Sequence, residues 1–433
     1  MTRIRISPAV ALTLLFLFAG TSALHAQDIQ ATRNVTVEGL IQRTVDAQDG
    51  QFDRTLYLAL SEDPDQPLLL ASPSVNGQGV DTYRIRTDGD IELVASAVIA
   101  DLPATSRSRD VKLFYTAGAW YAVVAVEHSE PRSNSVAAVI YRIGETGPRE
   151  VRRITTFEGS GFIHLFPYKH SSGKALLFTA GDAAIHVYDL DALVQGDANT
   201  ALVATIDSPA QPVASLRGFR DVFVGFEPAL GQDRMYTAGA GGYYVYDVTN
   251  PVSDSLLAMV NPAGILYGHK VVPEPNGNGV LTAADYRTAP LRFYDLRPVF
   301  DGNAPRIRTA VGAWTANWCN FAQQFEFRWP YAFVASMEDG FQMVNMRDHE
   351  NPYTSAYART NTIETDCDPN AGHRGAYDVE VRNRDGLIAV GDLETGIWLL
   401  RVEDFKGWDG HGWGIPDVST VQDWENGPDE IGG

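Results

Sequence analysis

The 433-residue chain carries two cysteines, Cys319 and Cys367. They stand too far apart for a C-x-x-C redox motif. Positive charge is scarce too. With 34 lysines and arginines against 54 aspartates and glutamates, the formal net charge is -20. Such a field repels nucleic acid and anionic lipid, which require a positive footprint, so nucleic acid is not an expected partner. The sequence has no long amphipathic helical pattern, no GxSxG elbow, no P-loop and no dinucleotide fingerprint. Asp348, Asp378 and Asp392 offer oxygen to calcium, but no compact calcium loop is present.

The one strongly apolar run comes first. MTRIR, ISPAVALTLLFLFAG and ALHA read in order as the charged, apolar and small-residue parts of a signal peptide over residues 1–26, with Gln27 opening the mature chain. The run is too short and wrongly flanked for membrane insertion. No cysteine follows the cleavage site, so lipidation is not expected. Removing Arg3 and Arg5 takes the formal charge to about -22. The expectation is a secreted or periplasmic protein.

What the chain does have is repetition. TYRI (82–85), IYRI (140–143), VYDL (187–190), VYDV (245–248), FYDL (293–296), MVNM (343–346) and LLRV (399–402) recur about 47 to 58 residues apart. A period near fifty is that of repeated sheet modules, and seven of them predict an all-β, seven-bladed β-propeller over residues 27–405. LLFTAGDAAIHVYDL, RMYTAGAGGYYVYDV and LIAVGDLETGIWLLRV are versions of one hairpin, with branched and aromatic residues alternating and Gly and Asp at the turns. VTVEGLIQRT, from Val35, is placed to pair with the last module and close the ring. DLDALVQGDA and DLRPVFDG are long enough for a turn of helix. Residues 406–433 form a Gly/Trp-rich tail read first as a cap on one end of the channel.

The innermost strand of each module should open 20 to 28 residues before its aromatic–acidic phrase. His164, Arg220, His269, Cys319 and His373 sit at about that offset, which places them near one channel mouth. A neutral His164 can move a proton near neutral pH. The alternative is a histidine that caps a strand, with the nearby His170 in solvent. His186, among apolar neighbours, reads as packing before catalysis. Arg217 and Arg220, with Lys270 and Arg287, make the best positive patch for a carboxylate or sulfate; the plain alternative pairs Arg220 with Asp221. Tyr267 and His269 form the densest local pair, opposite Asp285, Tyr286 and Arg287. His269, Cys319, Cys367 and His373 also compose a Cys2His2 set for one structural zinc. A Cys319–Cys367 disulfide and two unrelated cysteines are the other readings, and export favours the disulfide. No organic cofactor is implied. Asp189, Asp247 and Asp295 recur inside the phrases, so they read as turn caps.

GGYYVYDVTNP (241–251), APLRFYDL (289–296) and DGFQMVNMRDHENP (339–352) resemble LVIVD-type propeller repeats of exported bacterial proteins, over roughly residues 155–405. That resemblance implies a binding or scaffold propeller. The chain also resembles the seven-bladed propeller lyases that cleave ulvan, a sulfated uronate polysaccharide. This second resemblance implies histidine and tyrosine for proton transfer, an arginine for the uronate carboxylate and a structural zinc. Here His164 or His186, Tyr267 or Tyr243, and Arg220 would take those parts. Two functions are therefore expected of the sequence: β-elimination on an acidic polysaccharide, or non-catalytic binding of such a polymer or another exported macromolecule.

Overall fold

The computed structural model describes residues 32–43, 54–86, 91–156, 159–181, 183–196, 201–209, 218–284, 290–319, 322–364, 374–408 and 424–425. The signal-peptide segment, and with it Gln27, lies outside the described residues.

Seven antiparallel sheets form one ring. Blade 1 runs outward from Tyr57–Leu60 through Leu68–Ser72 and Gly79–Ile85 to Ile91–Val98. Blade 2 starts at Ser106–Thr116, blade 3 at Phe162–Lys169, blade 4 at Phe219–Glu227 and blade 5 at Gly268–Pro273. Blade 6 starts at Gln324–Arg328 and blade 7 at Ala376–Val381. Every repeated phrase falls on the third strand of its blade, including TYRI and IYRI in the two less regular modules. The third strand lies between neighbours on both sides. Its alternating branched and aromatic residues are therefore held by packing within and between blades. The two expected helical turns are present, as Leu190–Gln195 and Arg297–Phe300.

The ring closes as the sequence predicts. Val35–Gln42 adds an outermost strand to blade 7, with Val35 opposite Val402 and Gln42 opposite Gly396. Thr32–Arg33 adds a fifth strand to blade 6, so one N-terminal segment staples two blades. Asn34 is the corner between them, at φ 56°, a left-handed conformation that asparagine tolerates better than most residues. Its side-chain amide donates to Ser355 O (3.2 Å) and its carbonyl accepts from Glu403 N (3.0 Å).

The Asp residues of the phrases are turn caps, as their recurrence implied. Asp189 accepts from Ala192 N, Asp247 from Thr249 N and Asp295 from Arg297 N, and Asn345 does the same for Arg347 N. Of the tail, Trp408 donates its amide to Asn383 O (2.8 Å) and lies under the Arg328 guanidinium. Trp424 is buried beside Phe114.

The closing strand supplies apolar contacts as well as a ladder, because Val35, Val37 and Leu40 pack on the core of blades 6 and 7. Leu40→Asp should therefore lower the unfolding free energy by about 2 kcal/mol. Unchanged denaturant and thermal midpoints would show that this strand does not hold the ring shut.

Candidate functional site

The innermost strands pair on one side only, and their other edge faces the channel. A one-residue irregularity early in most of them sets which side chains point inward. The register shifts between Phe162 and His164, Phe219 and Asp221, Gly268 and Lys270, and Ala376 and Asp378. The shift in blade 2 spans Ser108 to Val111. Asp110 within its irregularity, and His164, Asp221, Lys270 and Asp378 just after theirs, line the channel, with Tyr57 and Gln324 completing the level. Arg220 and His269, which offset arithmetic placed at this position, stand one residue before it, within the irregularity.

Three of these carboxylates serve the next blade. Asp110 accepts from Leu165 N (2.9 Å), Asp221 from Val271 N (3.0 Å) and Asp378 from Leu58 N (2.8 Å). Each satisfies a backbone donor on a strand edge that has no strand beside it.

His164 lies between two of the acids. Its Nδ1 is 3.5 Å from Asp110 and 4.0 Å from Asp221, and the ring meets Tyr57 edge-on at 5.4 Å. Burial drives the imidazole pKa down, against the pull of Asp110, so the ring is neutral at neutral pH. Burial alone would raise the Asp110 pKa, but Lys112, His164 and the Leu165 amide outweigh it and hold the carboxyl at about 2. With Nδ1 turned to the acids, Nε2 is buried and makes no hydrogen bond.

At the mouth, the Arg109 guanidinium lies 5.6 Å from the Tyr57 ring centre, and the hydroxyls of Tyr57 and Tyr377 are 3.3 Å apart. Arg220 is close enough to act electrostatically on Tyr57. Burial pushes the Tyr57 pKa up, so the phenol keeps its proton. Deeper in, Lys112 pairs with Glu380 (3.0 Å) and Asp110 (3.4 Å), while Arg328 pairs with Glu326 (2.8 Å). Phe166 and Phe223 face them from the other wall, 4.8 Å apart. Burial raises the pKa of Glu380 and of Asp378. The cavity left at the centre is about 40 Å³, a volume for a few waters and not for a sugar ring.

The other expected residues are distributed elsewhere. His186 is on the third strand of blade 3, two strand spacings from the channel (about 10 Å), with Nδ1 3.3 Å from Thr205. Tyr267 is buried at the start of blade 5, bridged to Ala240, and Tyr243 donates its hydroxyl to Ala283 O. His170, expected in solvent, is buried at the far end of its strand, where Nε2 donates to Val248 O (3.0 Å).

His269 Nε2 donates to Gln323 O (2.7 Å), a tie to blade 6. Cys319 is disulfide-bonded, and Cys367 is the one other cysteine in the chain. A disulfide sulfur has no thiolate to offer zinc, so the oxidised chain follows the disulfide alternative for Cys319. Cys367, His373, Arg217, Asp285, Tyr286 and Arg287 lie outside the described residues. Asp348 and Asp392 are engaged by protein donors, Glu350 N and Thr360 Oγ1 among them.

Tyr57, Arg109, Asp110, Asp221 and Tyr377 are the mouth residues that offset counting passed over. Their signal is the dipeptide before valine: Arg109-Asp110-Val111, Arg220-Asp221-Val222 and Tyr377-Asp378-Val379.

A second feature lies on the rim. A groove of about 670 Å³ runs beside the outer strands of blade 6, lined by Arg33, Asn317, Thr354, Tyr357, Arg359 and Glu364 among others. Trp318, next in the chain to Asn317, is 70% exposed.

The class this arrangement defines is the seven-bladed β-propeller with a plugged, charged channel. Comparison with known proteins adds the fold alone. No protein-family model and no curated protein matches the chain. Among solved structures, the chain is similar to Raptor from Chaetomium thermophilum, at a TM-score of 0.53 and 10% identity. The match covers 87% of this chain and 30% of Raptor, so the chain spans less than a third of that protein.

Asp110→Asn tests the staple between blades 2 and 3. The folded-state pKa of Asp110 lies below the ordinary carboxylate value. Its stabilisation is therefore present above about pH 4 and lost as pH falls toward about 2. The substitution should cost about 2 kcal/mol at neutral pH, and the gap to the native protein should close on acidification. A gap that stays constant down to low pH would contradict this account.

Proposed function

We propose that this chain is an exported, non-catalytic propeller of the LVIVD-repeat kind that binds an acidic polysaccharide at the groove beside blade 6. The observation that carries the reading is the contrast between the two features. The channel has closed to the scale of water around His164, whereas the rim groove holds about 670 Å³ with two arginines and an exposed tryptophan beside it. Arginine matches a carboxylate or sulfate with paired donors, and a tryptophan face stacks on a sugar ring. Arg33 and Arg359 stand in the groove with Asp339 and Glu364, so its lining is balanced in charge on a chain whose net field is negative. Export rests on the signal-peptide pattern of residues 1–26.

β-Elimination at a 4-linked uronate is the second reading, and the grouping of His164, Tyr57, Arg109 and Arg220 at one mouth favours it. Arg220 would neutralise the carboxylate, His164 Nε2 would accept the C5 proton, and the Tyr57 hydroxyl would protonate the leaving oxygen. A ligand would first have to open a mouth in which Nε2 is buried.

The two readings separate in one experiment. Ulvan, alginate, pectate and glycosaminoglycans are tested for retardation of the protein in affinity electrophoresis and, in parallel, for growth of the ultraviolet absorbance of an unsaturated uronate. The expected result is retardation by at least one polymer with flat absorbance, weakened by salt. Arg33→Ala and Arg359→Ala should each lose about tenfold in affinity. Rising absorbance that disappears in His164→Ala would transfer the function to the lyase reading. Absence of retardation by every polymer would remove the binding one.

A further inference from the structure

A third cavity, of about 300 Å³, lies between blades 5 and 6 on the face where the innermost strands end. The innermost strand of blade 5 finishes at Pro273 and delivers Glu274 to its wall; blade 6 contributes Trp329 and His349. His349 is stacked on Phe293 (ring centres 3.7 Å apart, planes at 17°) and meets Trp329 edge-on at 5.2 Å. Its orientation is thereby fixed, and its Nε2 is aimed at the Glu274 carboxylate.

That pair is incomplete. Nε2 of His349 is 3.7 Å from Glu274 Oε2, beyond hydrogen-bond length, and it is buried without any hydrogen-bond partner. Burial lowers the His349 pKa, so the ring is neutral, and Nε2 can stand as an acceptor facing a second acceptor. One atom with two protons to give, placed roughly 2.9 Å from each, would satisfy both. A hydroxyl has one proton to donate and cannot do this; a water has two, but brings no positive charge to the carboxylate.

The charges around the gap point the same way. Arg297 is committed to Asp295, through Nε (2.9 Å) and Nη2 (2.7 Å). Glu274 is 7% exposed, and among the described residues its one ion-pair contact is with that neutral histidine. Its pKa is pushed up to about 7, by burial first and by Asp295, against Asn276 and Arg297; Tyr236 also feels its charge. The closeness of Glu274 to Phe293 is built into the backbone. A Cβ on Gly279 would fall 2.2 Å from Phe293 Cζ and 2.9 Å from Glu274 Oε1.

We propose that this cavity is a binding site for the ammonium group of a small primary amine, held between Glu274 and His349 Nε2 with Trp329 beside it. The ammonium donates to Nε2 and to the ionised Glu274 and supplies the missing positive charge, and an aromatic wall favours a cation over a neutral group. The volume accommodates a short alkyl amine or an amino sugar, and the site is separate from the rim groove.

The test titrates the full chain with n-butylammonium and with tetramethylammonium, following Trp fluorescence and calorimetry. Saturable binding of n-butylammonium at about millimolar Kd is expected, accompanied by proton release at pH 6 to 7 as Glu274 ionises. The Glu274→Gln variant keeps the shape and should bind about tenfold more weakly, without proton release. Its melting curve confirms that it is folded, and a Trp329→Leu variant identifies the fluorescence response. Three results would overturn the proposal: no saturable n-butylammonium binding, equal affinity in Glu274→Gln, or tetramethylammonium binding as tightly as the primary amine. The last would show that the aromatic wall acts without the two acceptors.

Discussion

The unpaired inner edge of seven innermost strands is the constraint from which the rest of this molecule follows. A propeller has no strand to place in its centre, so each blade exposes backbone donors and acceptors to the channel. Asp110, Asp221 and Asp378 answer that demand from the preceding blade, by way of Leu165, Val271 and Leu58. A carboxylate held in such a place must itself be compensated, and Lys112 lies between Asp110 and Glu380 for this purpose. The channel is charged because its walls are edges, and it is narrow because the charges have to meet.

This has a consequence for chemistry. His164, expected near a channel mouth, lines the channel in the structure, and its neighbours Tyr57, Arg109 and Arg220 are of the right kinds for proton transfer next to a carboxylate. The same acids that orient the imidazole also close the space in front of it. The wider openings lie elsewhere, in a groove of about 670 Å³ beside the outer strands of blade 6 and in the cleft between blades 5 and 6 where Glu274 and His349 face each other.

The ring was legible because the repeat is a property of local sequence. A third strand packed on both sides needs branched and aromatic residues, and the YD, VN, YR and LR phrases record that need seven times. The closing strand was legible for the same reason: VTVEGLIQRT has strand composition and no partner of its own. The site was legible only in part. Counting back from each phrase reached the right strand in blades 3, 4 and 5 but missed the inward residue by one in blades 4 and 5. The irregularity before Asp221 and Lys270 turns the next side chain inward, and a one-residue slip on a strand changes the face. Tyr57 carried no signal of its own, since it meets Tyr377 across the closure of the ring.

The sequence by itself determined the all-β class, the seven modules, the strand that closes them and the acidic field, because each depends on composition or on contacts within one repeat. Only the tertiary structure decided which residues share a space. Leu58 and Asp378 lie 320 residues apart, and Glu274 and His349 belong to different blades. Those meetings are fixed by the curvature of the ring and by single-residue shifts in register, and neither leaves a pattern along the chain. For Cys319 the sequence left the disulfide, the zinc set and an unrelated thiol open. In the structure Cys319 is disulfide-bonded, a state that depends on the approach of a second sulfur in space and not on spacing along the chain.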